Sequence, residues 1–250
     1  MWVSRMEPDE LKRRVAKAVA HFWRTRARQA DSQRRRGVSD QGTRSAVTGG
    51  AQMDGLVELI GSLISNAGIP DASIHRSRLL ELPGFFRPTK EWDIVVVADG
   101  RLLAAVEAKS QVGPSFGNNF NNRTEEALGS AVDIWTAFRE GAFQQSCRPW
   151  LGYVFLLESC TGSQSPVKVK EPHFKVLPEF PGSSYARRYE LFCRKLVRER
   201  HYDAAAFLTS DRESGKKGIY LEPASDLAFT PFAVSLTAHA MAFADIRAEQ

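Results

Sequence analysis

The segment EWDIVVVADGRLLAAVEAKS, Glu91 to Ser110, holds two runs of Val, Ile, Leu and Ala separated by Asp99-Gly100. Such runs read as buried strands, and Asp-Gly between them is a tight-turn signal. Asp93 to Ala98 and Leu102 to Lys109 are therefore expected to form a β-hairpin. Three ionisable residues, Asp93, Glu107 and Lys109, interrupt it. Residues two apart on a strand share a face, so Glu107 and Lys109 point the same way, with Ala105 and Leu103 behind them. Burying a carboxylate and an ammonium is costly unless they are paired or hold a metal.

Whether Asp93 joins them depends on parity. A two-residue turn at Asp99-Gly100 sets Asp93 opposite Val106 and leaves Glu107 on the other face. A three-residue loop makes Asp93 and Glu107 direct cross-strand neighbours, with Cβ atoms about 4.5–5.5 Å apart. The reading therefore predicts an odd loop length, or a bulge, between the two carboxylates. Two carboxylates that close repel, and a hard divalent cation such as Mg²⁺ would hold both ionised. Lys109 beside them could orient or help deprotonate a metal-bound water and offset charge on a phosphate.

Outward from the hairpin, apolar residues recur at helical spacing from Asp9 to about Ala30, and SQRRRGVSDQGTRSAVTGG (32–50) reads as a loop. A second helix is expected over 52–66, ending at Gly68 before Pro70, with Asp54 and Glu58 on one face. Residues 73–82 read as a strand, followed by an irregular LPGFFRPTKEW. After the hairpin, QVGPSFGNNFNNR is polar, and a helix is expected over 124–140 with Asn122 and Glu125 at capping-box spacing. Further on come a strand over 150–157, a helix over 185–200 and strands over 205–209 and 218–221. A last helix opens at Pro231 with Thr230 as N-cap. The whole is one α/β domain with a helical N-terminal arm.

With 43% hydrophobic and 25% charged residues the balance is that of a globular protein. No window approaches the roughly 18 apolar residues of a membrane helix, and MWVSRMEPDE lacks a signal-peptide core. A soluble, cytoplasmic protein without a membrane partner is expected. Cys147, Cys160 and Cys193 are far apart and read as reduced packing residues, and the five histidines form no metal-site spacing. Residues 1–50 carry 12 Lys/Arg against 5 Asp/Glu, net +7, within a chain of net charge +5. This basic arm suits a polyanion, nucleic acid before an anionic membrane, or is simply a solvated basic helix.

Asp93, thirteen residues, then Glu107-Ala108-Lys109 is a common pattern by chance, and its plain reading is a salt bridge on a hairpin. Placed on adjacent strands in the order αβββαβ, it resembles the core of the PD-(D/E)xK nuclease superfamily, with EWD (91–93) in place of Pro-Asp and EAK (107–109) as the second half. PTKEWD (88–93) and VGPSFGNNFNNR (112–123) further resemble the XhoI family of type II restriction endonucleases, as do GGAQMDGL (49–56), LPGFFRPTK (82–90), FREG (138–141) and GIYLEPASDL (218–227).

That resemblance implies a mixed sheet flanked by helices, with a catalytic core over 50–160, a C-terminal elaboration over 161–250 and the arm and loop over 1–45. It implies Mg²⁺-dependent cleavage of double-stranded DNA at the palindrome CTCGAG by a homodimer with a companion methyltransferase. Asp93 and Glu107 would bind Mg²⁺, Lys109 would serve the attacking water, and Glu58 would complete the catalytic set.

Asn118, Asn119, Asn121 and Asn122 are expected in a loop beyond the catalytic strand, where Asn can pair with adenine and Arg123 with guanine or phosphate. Turn formation and helix capping, most of all for Asn122, are the plainer uses of such residues. Phe116 and Phe120 read as anchors into the core. Arg87, Lys90, Arg139, Lys168 and Lys170 are candidate phosphate contacts. Rivals are a structure-specific repair or recombination nuclease and a DNA-binding module without catalysis.

Overall fold

The computed structural model describes residues 8–35 and 51–248. Of the loop expected over 32–50, residues 32–35 instead continue the N-terminal helix (Pro8–Arg35), and 36–50 lie outside the described residues.

One five-stranded sheet organises the chain. Its strands are β1 (Ile74–His75), β4 (Ile94–Ala98), β5 (Arg101–Gln111), β6 (Trp150–Glu158) and β7 (Ala204–Ser210), in the spatial order β1-β4-β5-β6-β7. The first three run antiparallel, whereas β5, β6 and β7 are parallel. All nine residues of β6 are buried, which explains why it reads as a continuous apolar run: helices cover both of its faces.

On one face α1 (Pro8–Arg35), α2 (Asp54–Asn66) and α7 (Phe229–Ala248) pack through Val19, Phe22, Ile60, Ile64, Phe232 and Leu236 against Val106, Val154 and Leu208. On the other face α3 (Phe116–Arg139) and α5 (Tyr185–Arg198) pack through Ala131, Ile134, Tyr189 and Phe192 against Ala105, Tyr153 and Phe207; α4 (Thr161–Gln164) and α6 (Arg212–Gly215) are single turns. This is a restriction-endonuclease-like mixed sheet between helices. The N-terminal helix belongs to it fully: Leu11, Val15, Val19, Phe22 and Trp23 are all buried. Phe232 and Leu236 of the last helix are likewise core.

The hairpin meets the parity requirement through a bulge. Ala98 pairs with Arg101 across a two-residue turn in which both Asp99 (φ 52°) and Gly100 (φ 71°) are left-handed. The register then shifts between Val96 and Val97: Val97 pairs with Leu102 and Val96 with Ala104, so Leu103 is the extra residue. From there Val95 faces Ala105 and Ile94 faces Val106, which makes Asp93 and Glu107 neighbours. The bulge also corrects one assignment. Leu103 packs with Ala104 into the α2 layer and not behind Glu107.

Other boundaries differ from expectation. The strand over 73–82 is two short ones: β1 in the main sheet, and β2 (Glu81–Pro83), which pairs with β3 (Thr89–Glu91) in a separate hairpin. The helix expected from Thr124 begins at Phe116, because Phe116 and Phe120, one turn apart, pack on Tyr185 and Tyr189. Asn122 is therefore inside a helix and caps nothing. The strand over 218–221 is only a bridge between Thr209 and Leu221. The last helix starts at Phe229, whose N–H donates to the Glu222 carboxylate, so Thr230 is not the cap. Cys193 is buried as expected, but Cys147 is exposed.

Candidate active site

Asp93 immediately precedes β4, and its carboxylate accepts hydrogen bonds on Oδ2 from the Ala108 N–H at 2.9 Å and from Lys109 Nζ at 2.8 Å. The same Nζ lies 3.8 Å from Glu107 Oε1, between the two carboxylates. Asp93, Glu107 and Lys109 therefore lie on one face at one end of the sheet, as the bulged register requires. They grade from interior to solvent: side-chain exposure is 2% for Glu107, 22% for Lys109 and 31% for Asp93.

Two further groups complete the cluster. Lys90, on β3, reaches over the buried Trp92 ring (4.2 Å to its centroid) and places Nζ 2.6 Å from Glu107 Oε1. Tyr202, between α5 and β7, donates its hydroxyl to Glu107 Oε2 at 2.7 Å. Burial alone would push the Glu107 carboxyl up. Lys90 and Lys109 outweigh it and hold the group below the usual carboxylate range. Burial likewise works against the charge on Lys109, but Glu107 and Asp93 reverse it and the ammonium is favoured. Lys90 is the exception: burial wins and lowers its pKa despite Glu107. Tyr202 is driven up by burial and by Glu107, so its hydroxyl stays a donor.

From sequence Lys90 reads only as a phosphate contact, and nothing there singles out Tyr202. For Lys90 a signal existed, because it is the one inward residue of an out-in-out strand and lies two before the buried Trp92. For a lone tyrosine about a hundred positions from its partner there was none.

The remaining expected residues are placed differently. Glu58 is on α2, mostly exposed, with Oε2 2.7 Å from Arg76 Nη1. Arg76 follows His75, the partner of Val95, so this pair lies toward the Asp93 end of β4 but on the α2 face of the sheet, and among the described residues it has no bond to Asp93, Glu107 or Lys109. Asn118, Asn121 and Asn122 are exposed on the outer side of the first turns of α3, in a helix and not in a loop. Asn119 and Arg123 are half-buried. Arg123 bonds Glu126 at 2.6 Å and is near enough to act on Lys109 electrostatically. Arg87 and Lys90 are committed to Asp133 and Glu107, while Lys168 and Lys170 are exposed.

Among the described residues no group of three or more His, Cys, Asp or Glu stands ready to hold a metal. What the site offers is a pair of carboxylates with an ammonium between them. That position is already cationic, and the donor set is all oxygen, which suits a hard divalent ion. No described helix is long and apolar enough to cross a membrane.

A family model described as restriction endonuclease XhoI matches residues 32–222. The chain is 57% identical over 205 residues to the type II restriction enzyme BstVI of Geobacillus stearothermophilus, covering 80% of this chain and 92% of that one. It is 48% identical over 183 residues to the type II restriction enzyme XhoI of Xanthomonas vasicola, covering 72% of each. Against the type II restriction enzyme AbrI of Azospirillum brasilense it is 48% identical over 171 residues, 68% of this chain and 77% of the other. No solved structure matches.

Proposed function

Because the chain belongs to the XhoI restriction endonuclease family, we propose that it cuts double-stranded DNA at the palindrome CTCGAG by Mg²⁺-dependent phosphodiester hydrolysis. That it is an endonuclease of the type II restriction class follows from the family and the relatives. The palindrome, the metal and the residue roles are the proposal. The observation that carries the roles is the ammonium of Lys109, 2.8 Å from Asp93 and 3.8 Å from Glu107 on adjacent strands.

Asp93 and Glu107 would hold the ion. A bound divalent cation supplies Lewis-acid stabilisation of the charge that grows on the phosphate and eases ionisation of water. The chain's own groups do the rest. Lys109 orients the attacking water, whose oxygen forms the new P–O bond as the bond to the leaving oxygen breaks, and its charge offsets that on the phosphate. Tyr202 fixes Oε2 of Glu107 and so leaves Oε1 to the ammonium groups of Lys90 and Lys109. Lys90 keeps Glu107 ionised within a buried setting. Glu58, with Arg76, acts from the edge of the site. Arg123 and the exposed Asn118, Asn121 and Asn122, with Asn119 behind them, bear on the DNA from the start of α3.

A palindrome calls for two-fold symmetry, hence a homodimer with one subunit per half-site, and a companion methyltransferase protecting the same site. The test is digestion of a defined plasmid with Mg²⁺, wild type beside Asp93→Ala, with the ends sequenced. Discrete cuts at CTCGAG that vanish in the variant are expected. Cutting of branched or nicked DNA without sequence preference would replace this reading with a repair nuclease, and no cutting by wild type would leave a binding module.

A further inference from the structure

The loop Gly84–Pro88 joins β2 to β3 and closes with the Gly84 N–H on the Pro88 carbonyl at 3.4 Å. At its tip Phe85 and Phe86 are 55% and 66% exposed, with rings edge to face at 5.2 Å. Large apolar side chains held together in solvent are a cost unless something covers them. Resting on the reading above, that DNA backbone occupies the Asp93–Glu107 site, we infer that Phe85 and Phe86 form an aromatic wedge that packs against base faces of the bound duplex near the scissile phosphate.

Three observations converge on DNA as the occupant. The first is position. Lys90, in register with Leu82 at the base of this same hairpin, contacts Glu107. Phe86 is four positions before Lys90, at most about 14 Å of chain, or roughly four base steps of duplex at about 3.4 Å per step. A duplex whose backbone lies in the site passes within reach of the tip.

The second is preorganisation. Asp133 of α3, its side chain only 3% exposed, spends both oxygens on this loop: Oδ1 accepts from the Phe85 and Phe86 N–H groups, each at 2.7 Å, and Oδ2 from Arg87 Nε at 2.8 Å. A Cβ at Gly84 would overlap that carboxylate, so glycine is what lets it in. A mere connection has no need of a buried anion holding its tip. A rigid tip presents its rings without an ordering cost on binding.

The third is the kind of surface. Flat, solvent-facing rings suit stacked bases, as apolar wedges do at base steps, and the half-exposed Arg87 beside them is held in place by Asp133.

The test uses full-length protein in the cleavage-silenced Asp93→Asn background, with and without Phe85→Ala/Phe86→Ala. It is run on duplexes carrying 2-aminopurine at successive positions across the site mapped by wild-type digestion. The parent should raise fluorescence at one step near the scissile phosphate. The double variant should lose that signal and bind roughly 10–100-fold more weakly, as expected for one or two lost base contacts, with Tm unchanged. Equal fluorescence and affinity would overturn the wedge. So would conversion of a dimer to a monomer in sedimentation, which would assign the face to a second copy. Wild-type cleavage of the same duplex is measured in parallel: no cleavage overturns the active-site reading, whereas cleavage without a fluorescence response overturns the wedge alone.

Discussion

Asp133 and Glu107 are both nearly buried, at 3% and 2% side-chain exposure, and each takes a cation from the β2–β3 hairpin, Arg87 for one and Lys90 for the other. Their surroundings then diverge. Asp133 meets two backbone N–H groups and one guanidinium, which together satisfy it, and no second carboxylate is among its partners. Glu107 has Tyr202 and two ammonium groups, and Lys109 links it to Asp93, which opens to solvent. A buried, ionised carboxylate is therefore not in itself a sign of chemistry. What sets the proposed site apart is the second carboxylate, the shared cation and a route to solvent.

The largest separation between the two should come from Asp93→Ala. Removing the exposed partner should slow single-turnover cleavage by roughly 10³-fold or more, about 4 kcal/mol, while the Tm stays close to wild type. Asp133→Ala should do the reverse. It strands a guanidinium and two amides, so denaturant unfolding should show a loss of about 3 kcal/mol. A stable Asp133→Ala would end its role as a clamp.

The same clamp has a pH signature. Burial pushes the Asp133 carboxyl up, but Arg87 and the two amides outweigh it and hold it below the usual range. Its stabilisation is then present above the unfolded carboxyl pKa, about 3.9, and lost as pH falls through the lower folded value. Unfolding followed from pH 5 downward should be steeper in wild type than in Asp133→Asn.

Effects shrink with distance from Asp93. Lys90→Met and Glu58→Ala should each slow cleavage about 10–100-fold, as groups do that position others, with Lys90→Met the worse because Glu107 is buried and Glu58 is not. Steady-state rates beside Tm values would rank them, and the opposite order would make Glu58 the principal member.

The smallest change should follow replacement of Arg13, Lys17, Arg24 and Arg28 by Gln. These exposed residues fall within about 60° of arc on α1, and their loss should flatten the salt dependence of binding without altering the cut site. An unchanged slope would remove α1 from the DNA contact.

How much of this was legible beforehand follows from the kind of signal. Period-two alternation in an apolar run exposes its own exceptions, so Asp93, Glu107 and Lys109 stood out and cross-strand parity demanded the irregularity found at Leu103. The helix start at Phe116 was hidden because Gly117 and four asparagines are poor helix formers. It forms because Phe116 and Phe120 have aromatic partners on α5, and tertiary packing overrides propensity. The break between β1 and β2 was lost in a run that reads as one strand. Lys90 lies in a proline-flanked stretch that reads as irregular, although its burial between exposed neighbours follows the same alternation.

The extra residue at Leu103 has a consequence for how this chain can vary. Most hairpins accept insertions at their tips freely, but here the count of residues between Asp93 and Glu107 works as a parity lock. Gain or loss of one residue anywhere from Ile94 to Val106, if the pairing beyond it re-forms, rotates Glu107 and Lys109 into the aliphatic layer of α2 and strands Asp93 on the other side. Length changes in this hairpin are tolerable only in pairs, so lineages and engineered libraries alike should explore it two residues at a time.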